Sequence, residues 1–230
     1  MIPKIIHQLW EGDPLSGFYS KLAETWKEQH PDWQYEFWDG DRMRTFVQRH
    51  FPQFVDAYIG LKYDIQRWDA VRYMILYKIG GMYMDFDYEC LSPADEYLAE
   101  EGKCYFALEP EEHCIYLFGR DTFSNALMAT YPGHPFFKKI LDHIFVESHF
   151  EYTNHIGRDV HASTGPMMLT ELYQHYPNKD EIVLWPAELA MPWTNADVRS
   201  FMNGTADEQY LGKKLEKAFA VHYFFSTWAK

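Results

Sequence analysis

Apolar residues change their spacing several times along this chain, and each change marks an element. The stretch "IPKIIHQLW", residues 2–10, has a β-branched centre and runs into the loop signal "EGDP", which predicts a first strand with Trp10 at its carboxyl end. Phe18, Leu22 and Trp26 then recur at helical spacing until Pro31, and "WQYEFW" alternates as a second strand before the turn "DGD". Short helical patterns follow around residues 41–50 and 53–60. In "DIQRWDAVRYMILYKIGG", Ile65, Trp68, Val71, Ile75 and Ile79 form one apolar stripe, with Asp64 placed to cap the helix and Gly80 to end it in the αL conformation. Gly81 opens the strand "MYMDFD", where alternate side chains share a face, so Asp85 and Asp87 are expected to point together with Phe86 opposite. Further on, "CYFAL" and "CIYLF" read as strands, "HPFFKKILDHIFVES" and "TGPMMLTELYQHY" as helices, and "AVHYFFSTW" as a last strand or extended tail.

Strands alternating with helices through the first half predict an α/β domain with a largely parallel sheet. No repeat, linker or low-complexity block interrupts the pattern, so residues 1–230 are expected to form a single domain. In such sheets ligands gather at the carboxyl ends of the strands, where Trp10 and the aspartate pair would both lie.

Composition narrows the partners. Apolar residues make up 47% of the chain and aromatics 18%, enough for the whole length to fold. A formal charge of −13 with no basic run argues against nucleic acid, while a small anionic ligand could bind through a few Arg or Lys residues and a divalent cation. Three cysteines without a Cys-x-x-Cys pair argue against a disulfide framework and a structural zinc site, and point to a reducing, cytoplasmic setting. The N-terminus reaches His7 and Glu11 too soon for a signal peptide, and Arg72 and Lys78 interrupt the most apolar stretch, so any membrane contact is expected to be peripheral.

The aspartate pair is weak evidence by itself. Sixteen aspartates among 230 residues yield Asp-x-Asp about once by chance, and "DGD" at residues 39–41 is a second copy. Oxygen ligands at a strand end suit Mg²⁺ or Mn²⁺, but a solvated strand end is the plain alternative. Asp69 and Arg72 share a face of the preceding helix, on or beside its apolar stripe. They form either an intrahelical ion pair or part of a cleft, and an arginine beside carboxylates is also how a diphosphate is held. In "STGP", Thr164 and Gly165 stand where a helix begins at Pro166, which serves equally as a capped helix or an anion site. His149, His155 and His161 show no metal-binding spacing and read as surface or loop residues.

Taken together, "IPKIIHQLW", "DAVRYMILYKIGGMYMDFD", "STGP" and "HYFFSTW" resemble the glycosyltransferases with a DXD sugar-binding region, the family of yeast α-mannosyltransferases and many bacterial capsular and lipopolysaccharide enzymes. The run D-x-x-R followed by GG-x-Y-x-D-x-D is also similar to the sugar-transferring domain of large clostridial toxins. The likeness spans residues 2–228 in order. It implies a GT-A fold, a nucleotide-binding α/β sandwich, and a retaining hexosyltransferase that uses Mn²⁺ or Mg²⁺ with a UDP- or GDP-linked sugar donor and a saccharide acceptor. It also implies polysaccharide biosynthesis at the cytoplasmic face of a membrane.

By that resemblance Asp87 ligates the metal directly, and Asp85 reaches the donor's ribose or sugar and the metal's water shell. Asp69 and Arg72 contact the donor sugar and diphosphate, and Trp10 stacks on the base. Ser226 meets metal or phosphate, and Trp228 touches the glycosidic oxygen. His222 is implied as a third metal ligand, although the toxins lack an obvious counterpart to it. The bland readings stay open beside these: a core tryptophan at Trp10 and a surface imidazole at His222.

Two other classes share part of this pattern. A haloacid-dehalogenase-like phosphatase also uses Asp-x-Asp at a strand end, but it wants Thr or Val where Glu89 stands here. A carbohydrate-binding protein would suit 8 Trp and 17 Tyr, but such modules are usually all-β, unlike a chain with long amphipathic helices.

Overall fold

The computed structural model describes residues 1–117, 122–147 and 150–225 of the 230. In chain order the elements are β1 (Ile5–Leu9), α1 (Gly17–Gln29), β2 (Gln34–Trp38), α2 (Gly40–His50), α3 (Val55–Ile59), α4 (Asp64–Ile79), β3 (Gly81–Met84) and β4 (Tyr88–Cys90). They continue with β5 (Cys104–Leu108), α5 (Glu111–Leu117), β6 (Phe123–Thr130), α6 (Pro135–Asp142), α7 (Ile156–Ser163) and α8 (Pro166–Gln174). Last come β7 (Ile182–Trp185), α9 (Ala187–Ala190), α10 (Asn195–Met202), α11 (Glu208–Leu215) and β8 (Ala220–His222).

Six strands form the central sheet in the order β2-β1-β3-β6-β5-β7. Five run in one direction, and β6 lies antiparallel between β3 and β5. A separate two-stranded ladder joins β4 to β8, with Tyr88 opposite His222. Alternation sends Tyr83, Phe106 and Met128 to one face of the large sheet and Met82, Met84, Tyr105 and Leu127 to the other. Helices α2, α4, α6 and α8 cover the first face, while Trp26 of α1 and Ala190 of α9 pack on the second. Fully burying such side chains contributes roughly 1.5–3 kcal/mol each, so the sheet edge that carries the site rests on packed core.

Helix α4 is more enclosed than its apolar stripe predicts. Every residue from Asp69 to Leu76 is buried, because the helix packs against α2, α6, α7 and the sheet. Its cap also differs from expectation: Asp64 is already helical, and the Gln66 side chain accepts from the backbone N–H of Tyr63 at 3.0 Å. The double glycine that follows is required by space. Gly80 (φ 75°) and Gly81 (φ 100°) both sit at positive φ, and a Cβ on Gly81 would lie 2.5 Å from the carbonyl oxygen of Ile5. Gly80 has ψ −167°, outside the αL region expected of it. Its carbonyl accepts from His7 Nε2 at 2.9 Å, and His7 Nδ1 in turn accepts from Trp38 Nε1 at 3.1 Å. Burial holds the His7 imidazole neutral and lowers its pKa to about 4.

Two expected strands are corrected. "CIYLF" begins inside α5, where Pro110 precedes the helix and Glu111 and Glu112 fill a first turn that favours negative charge. "MYMDFD" ends as a strand at Met84, and residues 85–88 form a turn closed by Tyr88 N–H donating to Asp85 O at 3.2 Å. The helix expected from "HPFFKKILDHIFVES" is α6, continued by a π-helical turn over His143–Glu147.

Candidate active site

Because five strands share a direction, one edge of the sheet collects their carboxyl ends: Trp10 after β1, Asp85 after β3 and Glu109 after β5. The reversed strand β6 brings its first residues, among them Asn125, to the same edge.

Asp85 is fixed there through its backbone, with its N–H donating to Ala126 O at 2.9 Å and its carbonyl accepting from Gln8 Nε2 at 3.3 Å. Its Oδ1 receives the hydroxyl of Tyr83 and lies 3.2 Å from Arg72 Nη1. Arg72 also reaches Asp69 Oδ1 at 3.2 Å through Nη2, donates from Nη1 to Asn125 O at 3.0 Å, and lies 4.8 Å from the centre of the Tyr83 ring. Asp69 is itself satisfied by Asn125 Nδ2 and the Thr164 hydroxyl, each at 2.8 Å. Both readings of the pair on α4 therefore hold: it is an intrahelical ion pair, and it extends to the aspartate turn. Burial pushes the Asp69 carboxyl up to about 6, and Arg72 and the Thr164 hydroxyl oppose that rise.

Asp87 meets the chain's last described segment. Its Oδ1 lies 3.0 Å from His222 Nε2, its Oδ2 accepts from the backbone N–H of Phe225 at 2.9 Å, and its carbonyl accepts from Tyr223 N–H at 2.9 Å. His222 stacks on Tyr88 at 4.4 Å with the rings 14° apart, as their register in the β4/β8 ladder dictates. It is buried rather than a surface imidazole. Burial disfavours charge on both partners, but the Asp87 carboxylate raises the His222 pKa and the imidazolium lowers that of Asp87. Between Tyr223 and Phe225, Phe224 adopts φ 49°, a left-handed conformation costing a non-glycine residue of order 1–3 kcal/mol. That conformation lets both neighbouring amides face Asp87.

Asp85, Asp87 and His222 thus converge, each offering a ligand atom within 4.8 Å of the others. The aspartates meet because they occupy a turn, whereas strand alternation was the expected reason. Trp10 lines the cavity beside them, of about 390 Å³, together with Tyr19, Trp68 and Phe86. It is half-buried, with Nε1 donating to Asp13 O at 2.7 Å and its ring 5.1 Å from that of Tyr19. The structure therefore brings Trp10, Asp69, Arg72, Asp85, Asp87 and His222 around one place, while Ser226, Trp228 and His149 lie outside the described residues.

Sequence reasoning missed Tyr83, Asn125 and Glu109, and it read Thr164 as part of a helix start serving as a cap or an anion site. Thr164 does precede α8, whose first residue is Pro166, but its hydroxyl is spent on Asp69. His155 caps α7 and is exposed, as expected, whereas His161 is half-buried and lines a second hollow beyond Arg72. The pattern GG-x-Y-x-D-x-D already contained Tyr83; Asn125 had no local signal.

A sheet of this order with a carboxylate turn at its edge is the GT-A glycosyltransferase fold. The structure is similar to the UDP-bound glycosyltransferase domain from the YGT toxin, with a TM-score of 0.57 and 8% identity, over 80% of this chain and 79% of that one. Residues 19–103 match the family described as the glycosyltransferase sugar-binding region containing DXD motif. Among its relatives, Inositol phosphoceramide mannosyltransferase 1 of Schizosaccharomyces pombe is 32% identical over 178 residues, 76% of this chain and 52% of that protein. Mannosyl phosphorylinositol ceramide synthase SUR1 of Saccharomyces cerevisiae is 30% identical over 180 residues, 76% of this chain and 43% of that protein. The chain spans about half the length of these relatives.

Proposed function

We propose that this chain is a metal-dependent glycosyltransferase that moves a hexose from a nucleotide diphosphate sugar to a hydroxyl of a glycan or lipid-linked saccharide. The observation that carries the reading is the convergence of Asp85, Asp87 and His222 beside Arg72, in a cavity that Trp10 also lines. Two carboxylates and an imidazole suit Mn²⁺ or Mg²⁺, and His222 Nδ1 is buried with no hydrogen-bond partner among the described residues. A divalent ion held there would stabilise charge on the departing diphosphate.

The protein's own residues do the rest. Trp10 and Tyr19 offer ring faces to the base of UDP or GDP, and UDP is the nucleotide in the YGT toxin domain. Arg72, locked between Asp69 and Asp85, presents a preorganised positive charge where the leaving oxygen develops its negative one. In this reading Asp69 and Asp85 receive hydroxyls of the transferred sugar. Attack from the face of departure, with retention at the anomeric carbon, is part of this reading.

The names of the yeast relatives support mannose as the sugar and an inositol-bearing lipid as one acceptor. A lipid acceptor would hold the protein peripherally at the cytoplasmic face of a membrane. Among the described residues no helix is long and apolar enough to cross one. A single domain over residues 1–230 belongs to the same reading. The GT-A fold and the family match support a transferase over the phosphatase and the binding module.

The test is a screen of UDP- and GDP-hexoses for slow hydrolysis with Mn²⁺. One donor should be consumed, EDTA should stop the reaction, and His222→Ala should weaken Mn²⁺ binding at least about tenfold by titration calorimetry. Undiminished turnover in EDTA, or no turnover of any donor, refutes the reading.

A further inference from the structure

A second hollow of about 330 Å³ opens on the other side of the Arg72–Asp85 pair. It shares Ile65, Arg72, Asp85, His222 and Phe224 with the first, so the two cavities adjoin at a boundary that includes Arg72 and Asp85, both assigned above to the donor. Its far wall is formed by Glu109, His113, His161 and Asn195. Among the described residues, no lysine or arginine other than Arg72 lines it. Val160, Pro166 and Phe224 add apolar surface beside the amide of Asn125 and the hydroxyl of Ser124. Such a mixture, at the small end of ligand-pocket sizes, suits one ring bearing many hydroxyls and no charge.

Glu109 is the distinctive group of that wall. It follows β5 directly, with its backbone N–H donating to Thr122 O at 2.9 Å, and its side chain is only 12% exposed. Among the described residues no lysine or arginine pairs with it; its Oε2 lies 3.1 Å from His113 Nδ1. The other nitrogen of His113, Nε2, accepts the backbone N–H of Asn195 at 3.0 Å, at the start of α10. That bond assigns the ring proton to Nδ1, which therefore donates to Glu109. Phe224 packs edge-on against the imidazole at 4.8 Å. A largely buried carboxylate is thus fixed in direction by a neutral donor, and its remaining acceptor capacity is of the kind that hydroxyl donors fill.

Resting on the glycosyltransferase reading, we propose that the second hollow seats the acceptor as an uncharged polyhydroxylated ring, and that Glu109, held by His113 and Asn195, receives its hydroxyls and turns the attacking one toward Arg72 and Asp85.

The experiment uses the full chain with Mn²⁺ and a sugar nucleotide that the wild type consumes. Donor hydrolysis is measured first, then transfer to myo-inositol and to methyl α-D-mannopyranoside. Glu109→Gln should raise the KM for these acceptors and lower the ratio of transfer to hydrolysis, each at least about tenfold. His113→Ala should act in the same direction, and Glu109→Asp should recover part of the loss. Equal loss of hydrolysis and transfer would place Glu109 on the donor and overturn the assignment, as would an unchanged acceptor KM. If Glu109→Gln does not fold, the wild type still decides: myo-inositol should outcompete myo-inositol 1-phosphate, and the reverse order refutes an uncharged seat. A wild type that consumes no sugar nucleotide removes the underlying reading as well, and that result is distinguished because it appears before any acceptor or variant is tried.

Discussion

Arg72 and Asp85 meet at 3.2 Å across the boundary between helix α4 and the turn after β3, while the second guanidinium nitrogen of Arg72 lies equally far from Asp69. One planar cation therefore sets the distance between two carboxylates from different elements, the guanidinium and Asp69 being buried and Asp85 half-buried.

Arg72→Lys is expected to fail at this position, because a single ammonium cannot serve both acids at once. Turnover should fall by about 10²–10³, the scale seen when one preorganised donor to a developing charge is removed. Arg72→Met should also lose about 3–5 kcal/mol of stability in urea unfolding, since it leaves the buried Asp69 carboxyl without its partner. Unaltered kcat in Arg72→Lys would show that the guanidinium has no part in the chemistry.

His7 should make stability depend on pH. Its imidazole has a pKa of about 4 when folded against an ordinary value of 6.5, so between those values the unfolded chain takes up a proton that the folded one does not. Stability is present above 6.5, falls as pH drops through that value and levels off below about 4, a swing of about 3 kcal/mol. In His7→Gln this part of the slope should vanish. Denaturant midpoints measured from pH 7 down to pH 4 in both proteins give the difference directly.

Gly81→Ala should damage folding at a site that bears no chemistry. The new methyl would stand 2.5 Å from the Ile5 carbonyl oxygen at φ 100°, and the left-handed backbone alone costs roughly 1–2 kcal/mol. The expected result is a lower urea midpoint with the denaturant slope unchanged. A midpoint equal to the wild type would mean that β1 and β3 can part without penalty.

The sequence was most legible where one element carries its own signal. The β-branched centre of β1, the stripe of α4 and the double glycine before β3 all reported local geometry, and the sheet edge followed from them. The meeting of Asp85 and Asp87 was anticipated for the wrong reason, because a turn and an alternating strand can present the same spacing. β6 was missed although all eight of its residues are buried, since Ser124, Asn125 and Thr130 break its apolar pattern. Asn125 and Thr164 reach Asp69 from sequence separations of 56 and 95, and nothing local encodes such pairings. β4 and β8, three residues each, are too short to show a period, so the burial of His222 against Tyr88 appears only in three dimensions.

The three bonds that tie Asp87 to His222, Tyr223 and Phe225 make this acid an anchor for the end of the chain as well as a member of the polar cluster. Removing its side chain altogether would break the bonds to His222 and Phe225, leave the backbone bond to Tyr223, and take away two oxygen atoms, so lost activity could reflect either the loosened segment or the missing oxygens. Asparagine keeps one of those oxygens for the Phe225 amide while discarding the charge, so it divides the two duties that this single carboxylate performs.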